Sequence, residues 1–164
     1  SVVGVGTTFR VYLPRIAARP PETSASEMPR SAEPARPSAG GETILLVEDE
    51  TAVRLLVRKV LTQLGYRVLE AATGPAALEV WRKHKSSIHL LITDLVMPDG
   101  MSGLELAERV TRERPDLRVI YTSGYSAEIA GAGHALRAGD NFIPKPFDVD
   151  TMIRTVRRAL EVRG

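Results

Sequence analysis

The side chains able to do chemistry in this chain of 164 residues stand at the ends of apolar runs. HLLIT (89–93) ends on a single acid, Asp94. TILLV (43–47) ends on the pair Glu48–Asp49, LRVIYTS (117–123) closes on Thr122–Ser123, and NFIP (141–144) is followed by Lys145–Pro146. Three carboxylates gathered at one edge repel one another, so a cation belongs among them. Hard oxygen donors suit Mg2+, which keeps several of its waters and accepts a phosphate oxygen as a ligand. A carboxylate is also a nucleophile that can form an acyl phosphate. Phosphoryl transfer asks for positioning and charge neutralisation more than for covalent machinery. The Lys145 ammonium and the Ser123 hydroxyl are groups that meet charge on a phosphoryl oxygen. Singly, each residue has a plainer explanation: an acidic cluster caps a helix, an Asp opens a loop, a Lys is solvated.

These residues act together only if the chain brings them together, and its periodicity says how. After TILLV, the acids and Thr51 offer caps for a helix reaching about Leu64, which Gly65 stops. YRVLEA (66–71) reads as a second strand, and GPAALEVWRKHK (74–85) as a helix with Pro75 near its first turn, where the missing N–H costs nothing. HLLIT is a third strand. GLELAERVTRER (103–114) is amphipathic through Leu104, Leu106, Ala107 and Val110 and ends before Pro115. LRVIYTS is a fourth strand, SAEIAGAGHALRAG (126–139) a Gly-interrupted helix, NFIP a fifth strand, and DVDTMIRTVRRALEVR (148–163) a last helix with Met152, Ile153, Val156 and Leu160 on one face. In the first helix Val53, Val57, Val60 and Leu64 are expected to face the sheet, with Ala52, Leu55 and Leu56 on its flank. Alternating strand and helix signals predict an α/β fold with a parallel sheet and right-handed crossovers. In such sheets the site lies at the carboxyl ends of the strands, where the polar residues above fall.

Composition narrows the class. Apolar residues make up 43% and charged residues 26% of the chain, as in a water-soluble globular protein. A net charge of +2 creates no field for nucleic acid or membrane. There is no cysteine, hence no disulfide framework and no thiolate site. No run approaches the roughly 20 apolar residues of a membrane span, and SVVGVGTTFR has no signal-peptide character, so a cytoplasmic location is expected. His84, His89 and His134 lack zinc-site spacing. Residues 1–16 carry a strand pattern with Phe9, Val11 and Leu13. Residues 17–41, with Pro20, Pro21, Pro29, Pro34 and Pro37, read as a linker too poor in apolar residues to offset ordering. Residues 42–164 form the principal domain.

VEDE (47–50), TDLVMPDGMSG (93–103), TSGYS (122–126) and KPF (145–147), in this order, resemble the receiver domain of two-component response regulators. The resemblance covers 42–164 and implies a doubly wound, CheY-like (βα)5 sheet of order 2-1-3-4-5. It implies that Asp94 is the phosphoacceptor, that Glu48, Asp49, Asp94 and the Val96 backbone carbonyl hold Mg2+, and that Lys145 contacts phosphate across a cis Lys145–Pro146 bond. Ser123 and Phe142 would form the switch that alters the face built by the segments 126–139, 141–144 and 148–163. The implied donor is the phosphohistidine of a histidine kinase dimerisation and phosphotransfer domain, or of a histidine phosphotransfer protein, docking over Leu55. Val96 and Tyr125 beside the site predict slow self-dephosphorylation. GVGTTFRVYLP (4–14) resembles the end of a histidine-kinase ATP-binding domain, which would make the parent a bacterial hybrid kinase and this part a monomer or weak dimer. With no DNA-binding segment after Gly164, no nucleic-acid partner is expected. The alternative is a Mg2+-dependent phosphohydrolase with an Asp nucleophile. Such enzymes carry a second acid two residues on, where Val96 stands here. A phosphorylation-independent interaction module would lack one of the acids or the lysine, and none is missing.

Overall fold

Five apolar runs become five parallel strands: β1 (Thr43–Val47), β2 (Arg67–Ala71), β3 (Ile88–Asp94), β4 (Arg118–Ser123) and β5 (Phe142–Pro144). Between and after them come the helices α1 (Thr51–Gln63), α2 (Gly74–His84), α3 (Gly103–Glu113) and α4 (Val149–Glu161). The structure is a computed structural model and describes residues 41–97, 100–124 and 141–161. The segments expected at 1–16 and 126–139 and all of the expected 17–41 linker except Gly41 lie outside the described residues, as do Pro98, Asp99, Tyr125 and His134. The strand order is β2-β1-β3-β4-β5, so the expected order 2-1-3-4-5 is observed.

All five residues of β1 are buried, because helices cover both faces of the sheet. Ile44 and Leu46 point one way, into a cluster with Val57 and Leu61 of α1 and Met152 and Val156 of α4. Leu45 and Val47 point the other way, against Ala77 and Trp81 of α2 and Leu106, Ala107 and Val110 of α3. Each of the buried Val, Leu, Ile and Met side chains contributes about 1.5–3 kcal/mol. An exposed pair such as Arg112–Glu108 adds no more than about 1 kcal/mol. The two apolar clusters therefore hold the sheet together.

Two local expectations change. In α1 it is Leu61, with Val57, that is fully buried, while Val60 is only half-buried. The helix therefore lies on the sheet through Val57 and Leu61, with the expected Val53 and Leu64 packed partly buried against the same cluster. The expected acidic cap is also absent: Glu50 occupies the N-cap without a side-chain cap hydrogen bond, and no acid sits in the first turn. By contrast, Thr73 accepts from the Ala76 N–H at the start of α2, and Ser102 and Glu105 form a complete capping box on α3.

One irregularity was invisible in the sequence. Thr43 pairs with Ile88 but Ile44 pairs with Leu90, so His89 is an extra residue in β3. Its Nδ1 accepts the Thr43 backbone N–H at 3.0 Å, which satisfies a donor that the shift would otherwise leave unpaired. The shift also explains why Ile88 and Leu91 belong to one core cluster while Leu90 and Ile92 belong to the other.

Candidate functional site

The carboxyl ends of β1, β3, β4 and β5 meet at one edge. Asp94 pairs across the sheet with Thr122, and Ser123 with Pro144. The Leu95 N–H donates to the Thr122 carbonyl at 2.9 Å, and the Lys145 N–H donates to the Ser123 carbonyl at 2.7 Å. These bonds fix where Lys145 leaves the sheet, and the Lys145–Pro146 bond is cis, as expected. The lysine side chain then reaches back over the edge. Its Nζ donates to Asp94 Oδ2 at 2.6 Å and to Glu48 Oε1 and Oε2 at 2.8 and 2.7 Å. The other Asp94 oxygen, Oδ1, accepts the Val96 N–H at 3.1 Å, so both oxygens of this carboxylate are oriented.

Among the described residues, Glu48, Asp49 and Asp94 form the group whose ligand oxygens lie within 4.8 Å of one another. Glu48 and Asp94 are buried, whereas Asp49 is more open to solvent. Burial pushes the Glu48 carboxyl above its ordinary value, against the pull of Lys145. Burial works to lower the Lys145 value as well, but its hydrogen bonds to Asp94 and Glu48 and their charge outweigh it, and the ammonium is held above its ordinary range. Three carboxyl groups thus share one ammonium. The remaining imbalance and the all-oxygen donor set fit a divalent cation such as Mg2+.

The loop behind Asp94 explains the glycine at 103. A Cβ built on Gly103 would lie 2.1 Å from the Asp94 carbonyl oxygen and 3.0 Å from Thr93 Oγ1. The Gly103 N–H donates to the Leu95 carbonyl at 3.1 Å. The N-terminus of α3 thus packs directly on the backbone that carries Asp94, which only a residue without a side chain allows. Gly100 has a different role: its φ of 75° is left-handed, with open space around it.

The other assigned residues that lie among the described ones can be placed as well. Ser123 is buried at the end of β4. Phe142 is buried with Leu95 and packs against Leu104 and Tyr121. Burial also raises the Tyr121 phenol above its ordinary value. The Val96 side chain stands out at 56% exposure, and Leu55 and Leu56 on α1 are exposed at 49% and 53%. Arg54 escaped the sequence reading. Its Nη1 donates to the backbone carbonyls of Glu48 and Asp49 at 2.7 and 3.3 Å. A helical arginine is ordinarily a solvated residue, and only its place one turn beyond an acid-bearing strand end marks it.

A family described as the response regulator receiver domain matches residues 44–157. The chain belongs to the response regulator receiver family. Sensor kinase CckA of Brucella abortus (strain 2308) is 36% identical over 163 residues, which is 98% of this chain and 17% of that protein. The crystal structure of the receiver domain from the hybrid histidine kinase CckA has a TM-score of 0.61 at 36% identity and covers 73% of this chain and 99% of that one. The Thermotoga maritima response regulator TrrA in complex with Mg2+-BeF has a TM-score of 0.61 at 30% identity, covering 73% of this chain and 99% of that one. The chain spans 17–24% of the length of the first curated relatives it matches. A receiver domain serves two-component phosphorelay signalling and is not itself a catalytic enzyme, so the phosphohydrolase alternative is not favoured. Among the described residues no helix is long and apolar enough to cross a membrane.

Proposed function

We propose that this receiver accepts a phosphoryl group from a phosphohistidine onto Asp94 and relays it, or its conformational consequence, within a hybrid histidine kinase pathway. The observation that carries the reading is the Lys145 ammonium bridging Asp94 and Glu48 at 2.6–2.8 Å, with an Asp49 oxygen in the same cluster. An Asp94 oxygen attacks phosphorus in line, an O–P bond forms, and the P–N bond to the donor imidazole breaks. Lys145 and the Val96 N–H each hold one oxygen of this carboxylate in place. As charge builds on the transferring group, Lys145 exchanges a carboxylate contact for a phosphoryl oxygen, and the Ser123 hydroxyl donates to another. Glu48, Asp49, Asp94 and the Val96 carbonyl are the residues that would hold Mg2+, which when bound supplies positive charge at the phosphoryl oxygens. That TrrA, 30% identical, is in complex with Mg2+-BeF supports a Mg2+-assisted reading.

Phosphorylation then biases a two-state element. Inward movement of Ser123 opens space beside Phe142, whose ring is already buried against Leu95 and Tyr121, and the surface around β5 and α4 changes with it. The exposed Leu55, Leu56 and Val96 offer an apolar approach for a four-helix histidine donor. A hybrid-kinase parent is supported by the CckA alignment, which at 98% of this chain reaches into residues 1–41. In this reading 1–16 end the ATP-binding domain, 17–41 form the linker, 42–164 form the receiver, and the whole works in the cytoplasm. Slow self-dephosphorylation follows from Val96, whose apolar side chain does not orient a water. Treatment with acetyl phosphate and Mg2+ tests the reading: one phosphoryl group enters the wild type and none enters Asp94→Asn.

A further inference from the structure

We propose that Arg54, held by Glu70, is a positioning residue that sets the acid pair Glu48–Asp49 for the divalent cation. This rests on the reading that these acids and Asp94 form the cation site. The Arg54 guanidinium touches neither acid's carboxylate. Its Nη1 donates instead to their backbone carbonyls, at 2.7 Å to Glu48 and 3.3 Å to Asp49. Nη2 lies 3.4 Å from Thr51 Oγ1, and Nε faces Glu70 Oε1 at 3.8 Å, with side-chain exposures of 17% and 26%. One planar fork thus gathers the two residues that follow β1, the first residue of α1 and an acid on β2. A compact ammonium could not span them.

The need for such a clamp is visible in the turn it holds. The β1–α1 turn has no side-chain cap at Glu50 and no acid in the first helical turn, so the usual means of fixing the start of α1 is missing. On the strand side the Glu48 N–H donates to the Ala71 carbonyl at 3.2 Å, and Glu70 sits opposite Leu46 in register. β2 therefore supports the turn twice: once through backbone, once through Glu70 and Arg54. Arg58 also contacts Glu70 at 3.1 Å, steadying the acid that aims Arg54. Because the guanidinium is occupied by carbonyls, it fixes the turn without neutralising the carboxylates. The acids remain available to a cation while their backbone is pre-set.

Outer partners that orient ligands typically change metal affinity about ten- to hundred-fold, so Arg54→Ala should weaken Mg2+ binding about ten-fold. The test is a backbone amide NMR titration of the full chain with Mg2+, on wild type, Arg54→Ala, Arg54→Lys, Glu70→Gln and the Arg54→Ala/Glu70→Gln double variant. Amide exchange at Glu50 and Thr51 is measured in parallel without metal. Arg54→Ala is expected to lose affinity and to exchange faster at these amides even without Mg2+. Arg54→Lys should recover only part of the loss. Glu70→Gln should weaken binding in the wild type and add nothing once Arg54 is gone. The inference is overturned if Arg54→Ala and Arg54→Lys both match wild type in affinity and exchange. It is equally overturned if Arg54→Ala does not fold and Glu70→Gln matches wild type. A wild type that shows no Mg2+-dependent shifts would remove the cation-site reading, and the inference with it. A wild type that binds while the variants bind equally well removes the inference alone.

Discussion

Replacing Gly103 by alanine separates two ways in which a glycine can matter. The added Cβ would meet the Asp94 carbonyl oxygen at 2.1 Å and its carbonyl carbon at 2.9 Å. Both partners are backbone of a central strand, so no side chain can swing aside. Relief requires α3 to back away by the better part of an ångström, which strains the 3.1 Å bond from the Gly103 N–H to the Leu95 carbonyl and loosens Leu106 and Val110 in the core. Overpacking of a well-filled site costs about 1–3 kcal/mol. The rigid backbone on both sides puts this substitution at the upper end, about 3 kcal/mol. Gly100→Ala is the internal control: its surroundings are open and only its left-handed φ of 75° is strained, so it should cost about 1–2 kcal/mol. Urea unfolding at neutral pH measures both, with equal m-values confirming that only stability has changed. Because the displaced backbone carries Asp94, phosphorylation of Gly103→Ala by acetyl phosphate should also slow, while Gly100→Ala stays near wild type. Equal stabilities for the two variants, or a Gly103→Ala protein as stable as wild type, would refute this account of the loop.

Lys145→Met leaves the buried Glu48 and Asp94 carboxylates facing each other without their ammonium, and loss of one partner in a buried pair costs about 3–5 kcal/mol. Since the Glu48 value is already raised by burial, the variant should regain stability as pH falls and Glu48 takes up a proton, which urea midpoints followed from neutral pH down towards the ordinary carboxylate range would show. Glu105→Ala removes the reciprocal half of the α3 capping box. The Glu105 carboxyl is held below its ordinary value by the Ser102 backbone and side-chain hydrogen bonds, so its contribution is present above the ordinary carboxylate value and fades as pH drops through the lowered one. The gap in unfolding midpoint between wild type and variant should therefore close in acid. Leu55→Asp, on the exposed flank of α1, should slow transfer from a phosphohistidine protein while leaving folding and acetyl phosphate uptake unchanged. Unaltered transfer would remove the docking role.

The fold was legible because each strand buried on both faces reads as an unbroken apolar run, as TILLV does, and because the helices announce themselves by stripes such as Leu106, Ala107 and Val110. The site was legible for a related reason: acids, a hydroxyl and a lysine sit at the tips of those runs, and a parallel sheet must bring such tips to one edge. What escaped was set by how particular groups meet in the fold rather than by a pattern of residue types. The extra residue at His89 depends on how β1 and β3 align. The choice of Leu61 over Val60 depends on the angle at which α1 lies on the sheet. Arg54 offered no periodicity, since its partners are backbone carbonyls that every residue type supplies. At the start of α1 the acid that takes the N-cap is Glu50, which makes no side-chain cap hydrogen bond; the shorter Ser, Thr, Asp and Asn are the side chains that reach the first-turn N–H groups.

The most direct test of the central claim is the site of the acyl phosphate. After incubation with acetyl phosphate and Mg2+, intact-mass spectrometry followed by borohydride trapping and peptide mapping should find one phosphoryl group in the wild type, confined to Asp94 and absent from Asp94→Asn. An Asp94→Asn protein that takes up the group as readily as wild type, or a label that maps to Glu48 or Asp49, would contradict the assignment.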